Sequence, residues 1–315
     1  MREAKINLME FVHIKSAIEE CLEFIHMARQ SDRLVIGLPS GFIDIDTLTT
    51  GFHPGDLVVV AGRTGAGKTG FMLSMAVNLA FTMEVPVAIF SLETSKFQLS
   101  LRMLSILSGV PLRNLRMGFL SDEVWSDVVL VGTELAQSPI YIEDSPRLSV
   151  AELREKSKRL REEKGIEIIF VDYLQLLRVP LRRTTRQEEV ADIAMELKAI
   201  AKELKIPVVA LSQLSRRTEQ REGKRPQLMD LRDSGQIEEV SDIVLFIHRP
   251  SAHKLSSQRE EVAEIIVAKQ RQGSTGIVKL VFDKETTEFE PLSSSNSKRI
   301  EEYNPEDLED FDLDF

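Results

Sequence analysis

The sequence predicts an α/β fold: a mostly parallel sheet flanked by helices, with an antiparallel hairpin at one edge. Short runs rich in Val and Ile recur along the chain, namely LVVVAG, VPVAIFSLE, PIYIED, IEIIFVDYLQLL, IPVVALSQLS and SDIVLFIHR. Stretches of helix length separate most of them, such as SVAELREKSKRLREEKG and RQEEVADIAMELKAIAKELK. Continuous apolar strands that alternate with helices are typical of parallel sheets covered on both faces.

The edge hairpin is predicted after Arg249. There the runs EVAEIIVAKQ and TGIVKLVFD stand on either side of RQGS, a short polar segment suited to a turn. Two strands joined this closely pair antiparallel.

An amphipathic helix is predicted before the first strand, from about Phe11 to Ala28. Its apolar residues recur at helical spacing and form one stripe: Phe11, Ile14, Ile18, Leu22 and Ile25. A turn-rich segment follows. We therefore divide the chain into a helix with its connecting segment (1–36), an α/β domain (37–290) and a disordered acidic tail (291–315).

The charge is distributed unevenly. The net charge is −10, which by itself argues against a nucleic-acid partner. However, the last segment, IEEYNPEDLEDFDLDF, is strongly acidic and contains no Lys or Arg. The body of the chain is therefore almost neutral and can carry a local basic face. The tail itself resembles the acidic ends of bacterial single-stranded-DNA-binding proteins, or else it only adds solubility.

The chain is expected to be cytoplasmic, with no membrane partner. The start, MREAKINLMEFVHIK, places charges where a signal peptide needs an apolar core. The single cysteine, Cys21, has no partner for an internal disulfide, which fits a reducing compartment.

A phosphate-binding loop is the most specific motif. Gly62, Arg63, Thr64, Gly65, Ala66, Gly67, Lys68 and Thr69 match G-x-x-x-x-G-K-[ST], between the strand LVVVA and the helical GFMLSMAVNLAF. Backbone N–H groups of such a loop surround phosphates at a helix N-terminus. Lys68 is expected to bind the β- and γ-phosphates, and Thr69 to bind Mg²⁺. The sequence thus predicts a nucleotide site.

Two carboxylates are candidates for hydrolysis. Asp172 ends the apolar run IIFVD, as a metal-binding carboxylate does in this class of site, although a helix cap or a loop position is the alternative. Glu93 ends VPVAIFSLE at the edge where phosphates bind, so it can orient the attacking water, or it can cap a helix starting near Thr94.

Gln213 is a further candidate. It ends the strand-like PVVALSQ, where its amide can bind a γ-phosphate and respond to its loss. A solvated loop residue is the other interpretation.

Taken in order, GRTGAGKT, FSLE, FVDYLQLL, ALSQLSR, RPQLMDLRDSGQIEEVSDIVLFIHR and AKQRQGSTG resemble the C-terminal motor of the DnaB-family replicative DNA helicases. The resemblance covers about Gly37 to Phe289. It implies a RecA-like fold and a homo-oligomer, a hexameric ring that hydrolyses ATP with Mg²⁺ at subunit boundaries. It also implies movement from 5′ to 3′ on single-stranded DNA, with a helicase loader as a possible further partner.

The resemblance also implies residue roles: Glu93 as the catalytic carboxylate, Asp172 as the metal ligand and Gln213 as the γ-phosphate sensor. Lys269 and Arg271 match hairpin residues that reach a neighbouring subunit's γ-phosphate, Arg271 being the arginine finger. From the residues alone these two are solvated hairpin charges.

DNA contacts are implied for the segment DLRDSG. Arg232 would supply charge, while Asp233 and Gly235 would donate backbone N–H groups to phosphates. Such contacts are independent of base sequence. The preceding stretch, LSRRTEQREGKRPQ, is rich in Lys and Arg, or is simply a solvated loop.

Two departures from the family pattern affect the interpretation. The segment IEEVSD stands where the family usually has Gln-Asp-Ala-Asp after Ile-Glu, which puts a polar role of the first Asp in doubt. Only about 36 residues precede the motor, so the helical N-terminal domain that recruits primase is not expected, and neither is a primase contact. The predicted amphipathic helix matches the family's linker helix, which docks on the adjacent motor, or it packs on its own domain.

Two other functions remain open from the sequence. A RecA-type recombinase shares the fold and the catalytic Glu but forms filaments, whereas the DLRDSG and AKQRQGSTG segments favour a helicase. A non-catalytic, nucleotide-gated clamp or assembly factor is the third interpretation.

Overall fold

The computed structural model describes residues 12–30, 36–179, 185–214, 225–250 and 259–292. Phe11, most of the basic stretch (215–224) and the acidic tail from residue 293 onward lie outside these ranges.

The strands follow the apolar runs of the sequence. Their bounds are β1 Leu57–Gly62, β2 Val87–Ser91, β3 Ile140–Glu143, β4 Ile168–Asp172, β5 Val208–Gln213, β6 Ile243–His248, β7 Glu260–Gln270, β8 Gly276–Asp283 and β9 Phe289–Pro291.

Within the described ranges these strands form one sheet in the order β3-β2-β4-β5-β1-β6-β7-β8-β9. All neighbours from β3 to β6 are parallel, and β6 to β9 are antiparallel. The predicted α/β class with a mostly parallel sheet and an antiparallel edge is confirmed. The edge is larger than the predicted hairpin, because the short strand β9 pairs with β8.

The helices occupy the stretches between strands. Their bounds are α1 Ile14–Gln30, α2 Ile43–Thr49, α3 Lys68–Val77, α4 Lys96–Ser108, α5 Leu112–Met117, α6 Asp122–Leu135, α7 Val150–Lys164, α8 Arg186–Leu204 and α9 Gly235–Val240. A π-helical turn, Asn78–Thr82, continues α3, and 3₁₀ helices cover Leu174–Leu176 and Leu228–Ser234.

The sheet is buried on both faces, as its continuous apolar strands predict. In β1, Val58 and Val60 belong to the hydrophobic cluster that includes α3 and α4, while Leu57 and Val59 belong to the opposite cluster with α8. Successive side chains of a strand point to opposite faces, so each apolar run contributes to both layers. The phosphate loop is therefore anchored to a strand with no exposed residue.

Helix α1 starts three residues later than the predicted helix and ends two residues later. The described members of its apolar stripe are all exposed: Ile14, Ile18, Leu22 and Ile25 are at least half accessible. Its own domain does not bury this stripe, so its role as a linker helix stays a prediction. None of the described helices is long and apolar enough to cross a membrane.

Candidate active site

The phosphate loop connects β1 to α3 at the carboxyl edge of the parallel strands. Gly65 and Gly67 have positive φ angles of 78° and 96°, which favour glycine. A Cβ at Gly67 would also lie 3.0 Å from two ring carbons of Phe289, a residue of the antiparallel edge. The loop conformation therefore depends on local glycines and on packing from β9.

Lys68 is the first residue of α3. Its Nζ donates to the carbonyl oxygens of Gly62 and Arg63, both at 3.0 Å, so the ammonium lies inside the turn of the loop. Burial lowers the pKa of Lys68, and the charges of Asp172 and Glu93 oppose that shift. The cation is thus at the position where the motif predicts it, with both predicted carboxylates near enough to affect it.

Thr69 and Asp172 lie in contact. The Thr69 hydroxyl donates to Oδ2 of Asp172 at 2.9 Å, although 103 residues separate them in sequence. Asp172 ends β4 and is 1% exposed. Burial raises its pKa, the charge of Glu93 raises it further, and the Thr69 hydrogen bond acts in the opposite direction.

This pair fits the predicted Mg²⁺. A hydroxyl and a carboxylate are hard oxygen ligands, and Mg²⁺ in phosphate sites takes one or two such protein ligands together with phosphate oxygens. Among the described residues, no group of three or more His, Cys, Asp or Glu side chains could hold a metal ion by itself. Phosphate oxygens would therefore complete the ligands of Mg²⁺.

Glu93 lies two residues beyond β2 and is exposed. The alternative role as a helix cap is not what the structure shows, because Ser95 caps α4 and forms a reciprocal capping box with Gln98. The charge of Glu93 acts on Lys68 and Asp172, so this carboxylate belongs to the same electrostatic cluster.

Gln213 is the last residue of β5 and touches the phosphate loop directly. Its Nε2 donates to Oγ1 of Thr64 at 2.7 Å. Gln175, which the sequence analysis did not single out, donates from Nε2 to Oγ of Ser212 at 2.9 Å. The strand that carries the predicted sensor is thus tied to the loop on one side and to the segment after Asp172 on the other.

Arg102 was missed by the sequence analysis. It lies on α4, and its charge lowers the pKa of Asp172. Burial lowers the pKa of Arg102 itself, while Asp172 and Glu93 raise it. A second cation therefore faces the carboxylate cluster from a helix. Its place on the helix that follows Glu93 was the only signal that the sequence offered for it.

Arg249 was also missed. It follows β6, and its Nη1 donates to the carbonyl oxygen of Gly65 at 2.9 Å. The same guanidinium pairs with Glu261 of β7 and lies 4.0 Å above the ring centroid of Phe282. Its position directly after the carboxyl end of a parallel strand was the signal that the sequence offered. Arg249 connects the phosphate loop to the antiparallel edge.

The hairpin cations, Lys269 and Arg271, lie at the end of the sheet where the parallel strands begin, opposite the end that carries the phosphate loop. The register pairs Gln270 with Ile243, and Ile243 with Val58 near the start of β1. The phosphate loop follows the other end of β1. The structure therefore does not bring the hairpin cations to the loop of their own chain.

The predicted DNA residues form one segment. Arg232 and Asp233 lie in the 3₁₀ helix Leu228–Ser234, and Gly235 begins α9. The placement of their side chains is outside what the structure describes. Val240, which stands where the family pattern has its first Asp, packs against the hydrophobic cluster beneath α8, so that position is apolar here.

The phosphate loop, the Thr69–Asp172 pair and the covered parallel sheet define a P-loop nucleotide-binding domain. Comparison with known proteins makes this more specific. The family described as "DnaB-like helicase C terminal domain" matches residues 37–291. The chain belongs to this family.

Curated relatives agree with the family assignment. The replicative DNA helicase DnaB of Geobacillus stearothermophilus is 43% identical over 280 residues, which is 89% of this chain and 62% of that protein. The replicative DNA helicase DnaC of Bacillus subtilis is 42% identical over 90% of this chain and 63% of its own length. The chain thus spans less than two thirds of these relatives.

Solved structures support the RecA-like fold. One of them, described as an ATPase domain, has a TM-score of 0.84 and 33% identity, covering 90% of this chain and all of that chain. A DnaB-like replicative helicase, described with its interactions with primase, has a TM-score of 0.80 and 33% identity over 90% of this chain and 68% of its own.

Proposed function

We propose that this chain is the motor of a replicative DNA helicase, which couples ATP hydrolysis to 5′ to 3′ translocation on single-stranded DNA. Family membership and the replicative helicases among its relatives support the reaction class. Gly62 to Thr69 would hold the phosphates of ATP, and Thr69 and Asp172 would hold Mg²⁺.

Hydrolysis would use groups from both sides of the loop. Bound Mg²⁺ supplies charge neutralisation at the phosphate oxygens. Glu93 accepts a proton from the attacking water, and Lys68 stabilises the negative charge that develops on the γ-phosphate. Gln213 hydrogen-bonds the γ-phosphate, and its side chain also contacts Thr64 of the loop. Loss of the phosphate would therefore change the position of β5, the strand that ends at Gln213.

One observation supports a shared site most strongly. The hairpin cations lie level with the start of β1, whereas the phosphate loop follows the end of β1. The register aligns Gln270 with Val58, and Gly62 lies four residues further along β1, about 13 Å at strand spacing. Arg271 therefore faces away from its own nucleotide and would complete the site of a neighbouring copy. Repeated around a closed ring, this contact gives a homo-oligomer, which we propose is a hexamer.

The load would be single-stranded DNA, bound at its phosphates by Arg232, Asp233 and Gly235. Phosphate contacts are independent of base sequence, as translocation requires. The cytoplasmic location and a helicase loader stay predictions.

Mixed oligomers test the shared site. Lys68→Ala subunits lack a working loop but keep the finger, and Arg271→Ala subunits have the opposite defect. If the finger acts in trans, a mixture regains hydrolysis at interfaces that join an intact loop to an intact finger. For random 1:1 assembly these are about a quarter of the interfaces. Finding no more activity in the mixture than in either variant alone would rule out a shared site.

A further inference from the structure

Asp242 lies between α9 and β6, where the parallel strands begin and therefore at the end of the sheet opposite the phosphate loop. It is 8% exposed. One side of this residue is fixed to the framework. Its Oδ2 accepts the N–H of Leu57 at 2.8 Å and also pairs with Lys198 of α8. Its backbone N–H donates to the carbonyl of Leu57 at 2.9 Å. These contacts leave little freedom to the carboxylate.

The second carboxylate oxygen faces the arginine finger. Oδ1 of Asp242 lies 3.4 Å from Nη1 of Arg271, and the carbonyl of Asp242 accepts the Arg271 N–H at 3.0 Å. Nη2 of Arg271 donates to the carbonyl of Glu239 at 2.6 Å. Arg271 is thus held at its backbone and at both terminal nitrogens, while 49% of its side chain remains exposed.

Lys269 is held by the same corner of the chain. Its Nζ donates to the carbonyl of Ser241 at 2.9 Å and to that of Glu238. The last carbonyls of a helix lack partners within the helix and carry partial negative charge, which favours a cation there. The end of α9 and Asp242 therefore form one acceptor cluster for both hairpin cations.

We propose that Asp242 is a positioning residue for Arg271: its fixed carboxylate sets the direction in which the guanidinium leaves its own chain toward the neighbour's γ-phosphate. The inference rests on the shared site proposed above. A group that stabilises a transition state must be placed closely, since a displacement of about 1 Å can reduce turnover about 100-fold. A half-exposed arginine has many rotamers, and the ion pair to a buried carboxylate selects among them.

A purely structural role would give a different result. Asp242 also contacts Leu57 at the start of β1 and Lys198, so it could act by supporting the strand that leads to the loop. In that case its replacement would damage the loop of the same subunit. In our inference, the replacement damages the finger that the subunit offers to its neighbour.

Asp242→Asn keeps an oxygen that can accept the Leu57 N–H and removes the charge facing Arg271. Because it also removes the charge that pairs with Lys198, the two roles are separated by the mixtures described below and not by this variant alone. We expect kcat to fall at least about tenfold with little change in KM, the pattern of a group that acts mainly in the transition state. Nucleotide affinity, measured by titration without turnover, should be unchanged, which also shows that the variant is folded.

Two mixtures then assign the defect. With Lys68→Ala subunits, Asp242→Asn subunits should regain hydrolysis, since their loops meet intact fingers. With Arg271→Ala subunits they should not, since no intact finger is present. The opposite pattern, recovery with Arg271→Ala and none with Lys68→Ala, would overturn the inference. If Arg271→Ala itself fails to recover with Lys68→Ala, the shared site is wrong. If it recovers and Asp242→Asn does not, only the present inference is wrong.

Asp56→Asn is the matched control. Asp56 is a neighbouring carboxylate that accepts the N–H of His53 at 2.8 Å, and its charge acts on the same cluster. Within the described contacts it does not touch the hairpin cations, so hydrolysis should match that of the unaltered chain. Should Asp242→Asn prove unstable, Asp242→Glu keeps the charge, displaces it by one methylene, and should show the same complementation pattern.

Hydrogen exchange without nucleotide gives a readout independent of activity. Asp242→Asn should speed exchange of the amides around Arg271 while those of β1 stay protected. Faster exchange confined to Leu57–Gly62 would point to the structural role and contradict the inference.

Discussion

The side-chain amide of Gln213 donates to the hydroxyl of Thr64 at 2.7 Å, which joins the end of β5 to the phosphate loop. Thr64 and Gln213 are both exposed, whereas the other residues of β5 are buried. A displacement of the loop on loss of the γ-phosphate would therefore reach β5 through one contact. The basic stretch that leads to the proposed DNA segment begins just after this strand.

Gln213→Ala should uncouple hydrolysis from DNA. We expect basal ATPase activity to fall a few fold and stimulation by single-stranded DNA to be lost, because the phosphate signal no longer reaches β5. Thr64→Val is the matched variant, since it removes the same hydrogen bond and keeps the amide. Normal stimulation in Gln213→Ala would show that the contact carries no signal.

Glu93→Gln should bind ATP and turn it over slowly. The amide keeps the size of the side chain but cannot accept a proton, so kcat should fall by about 100-fold or more while ATP affinity is retained. Glu134→Gln, at an exposed position of α6, controls for the loss of one charge. A fully active Glu93→Gln protein would refute the catalytic assignment.

Arg249→Ala should weaken both the fold and the nucleotide site. It removes the donor to Gly65 and leaves Glu261, which is 4% exposed, without its guanidinium partner. Lys284 Nζ still lies 3.3 Å from Oε2 of Glu261, so the carboxylate keeps one partner and the loss should be about 1 to 3 kcal/mol. We expect a lower unfolding temperature and roughly tenfold weaker nucleotide binding.

Arg249→Lys separates the two effects, because it keeps a charge for Glu261 but not the fork that also reaches Gly65 and covers Phe282. Its stability should exceed that of Arg249→Ala, whereas nucleotide binding should stay weak. Unchanged nucleotide affinity in both variants would mean that Arg249 does not support the loop.

Glu288 predicts a pH-dependent stability. Burial, followed by the charges of Glu290 and Asp283, raises its pKa to about 8. The folded chain therefore holds a proton that the unfolded chain releases near pH 4.5, so this residue makes the free energy of unfolding fall as pH rises from about 4.5 to 8. Glu288→Gln, which imitates the protonated group, should be more stable at pH 8 by an amount of order 2 kcal/mol.

Thermal unfolding of the Glu288→Gln variant across pH 5 to 9 measures this effect. The gain should shrink as pH falls toward 5. Glu163→Gln, an exposed position of α7, controls for general charge effects. A gain that does not depend on pH would contradict the raised pKa.

Features coded by neighbouring residues were accessible from the sequence. The order of strands and helices and the placement of Lys68 at the start of α3 follow from local patterns. Asp172 was found because a carboxylate that ends a buried strand lies at the edge where the loop also lies. The RecA-like fold needed the combined motifs, and it is supported by the structural relatives.

Features that depend on the sheet order were not accessible. Arg249 contacts Gly65 across 184 residues of sequence only because β6 lies beside β1. Asp242 contacts Arg271 because β7 returns antiparallel along β6. No spacing rule encodes either contact. The exposed apolar stripe of α1 shows the same limit, since periodicity gives the helix but not what covers it.

The central claim is that ATP hydrolysis at this site drives movement on single-stranded DNA. The most direct test measures ATPase activity with and without single-stranded DNA, together with unwinding of forks in which only one strand carries an overhang. We predict stimulation by single-stranded DNA and unwinding that requires the 5′ overhang. Unwinding that depends only on a 3′ overhang, or hydrolysis that ignores DNA, would contradict the account.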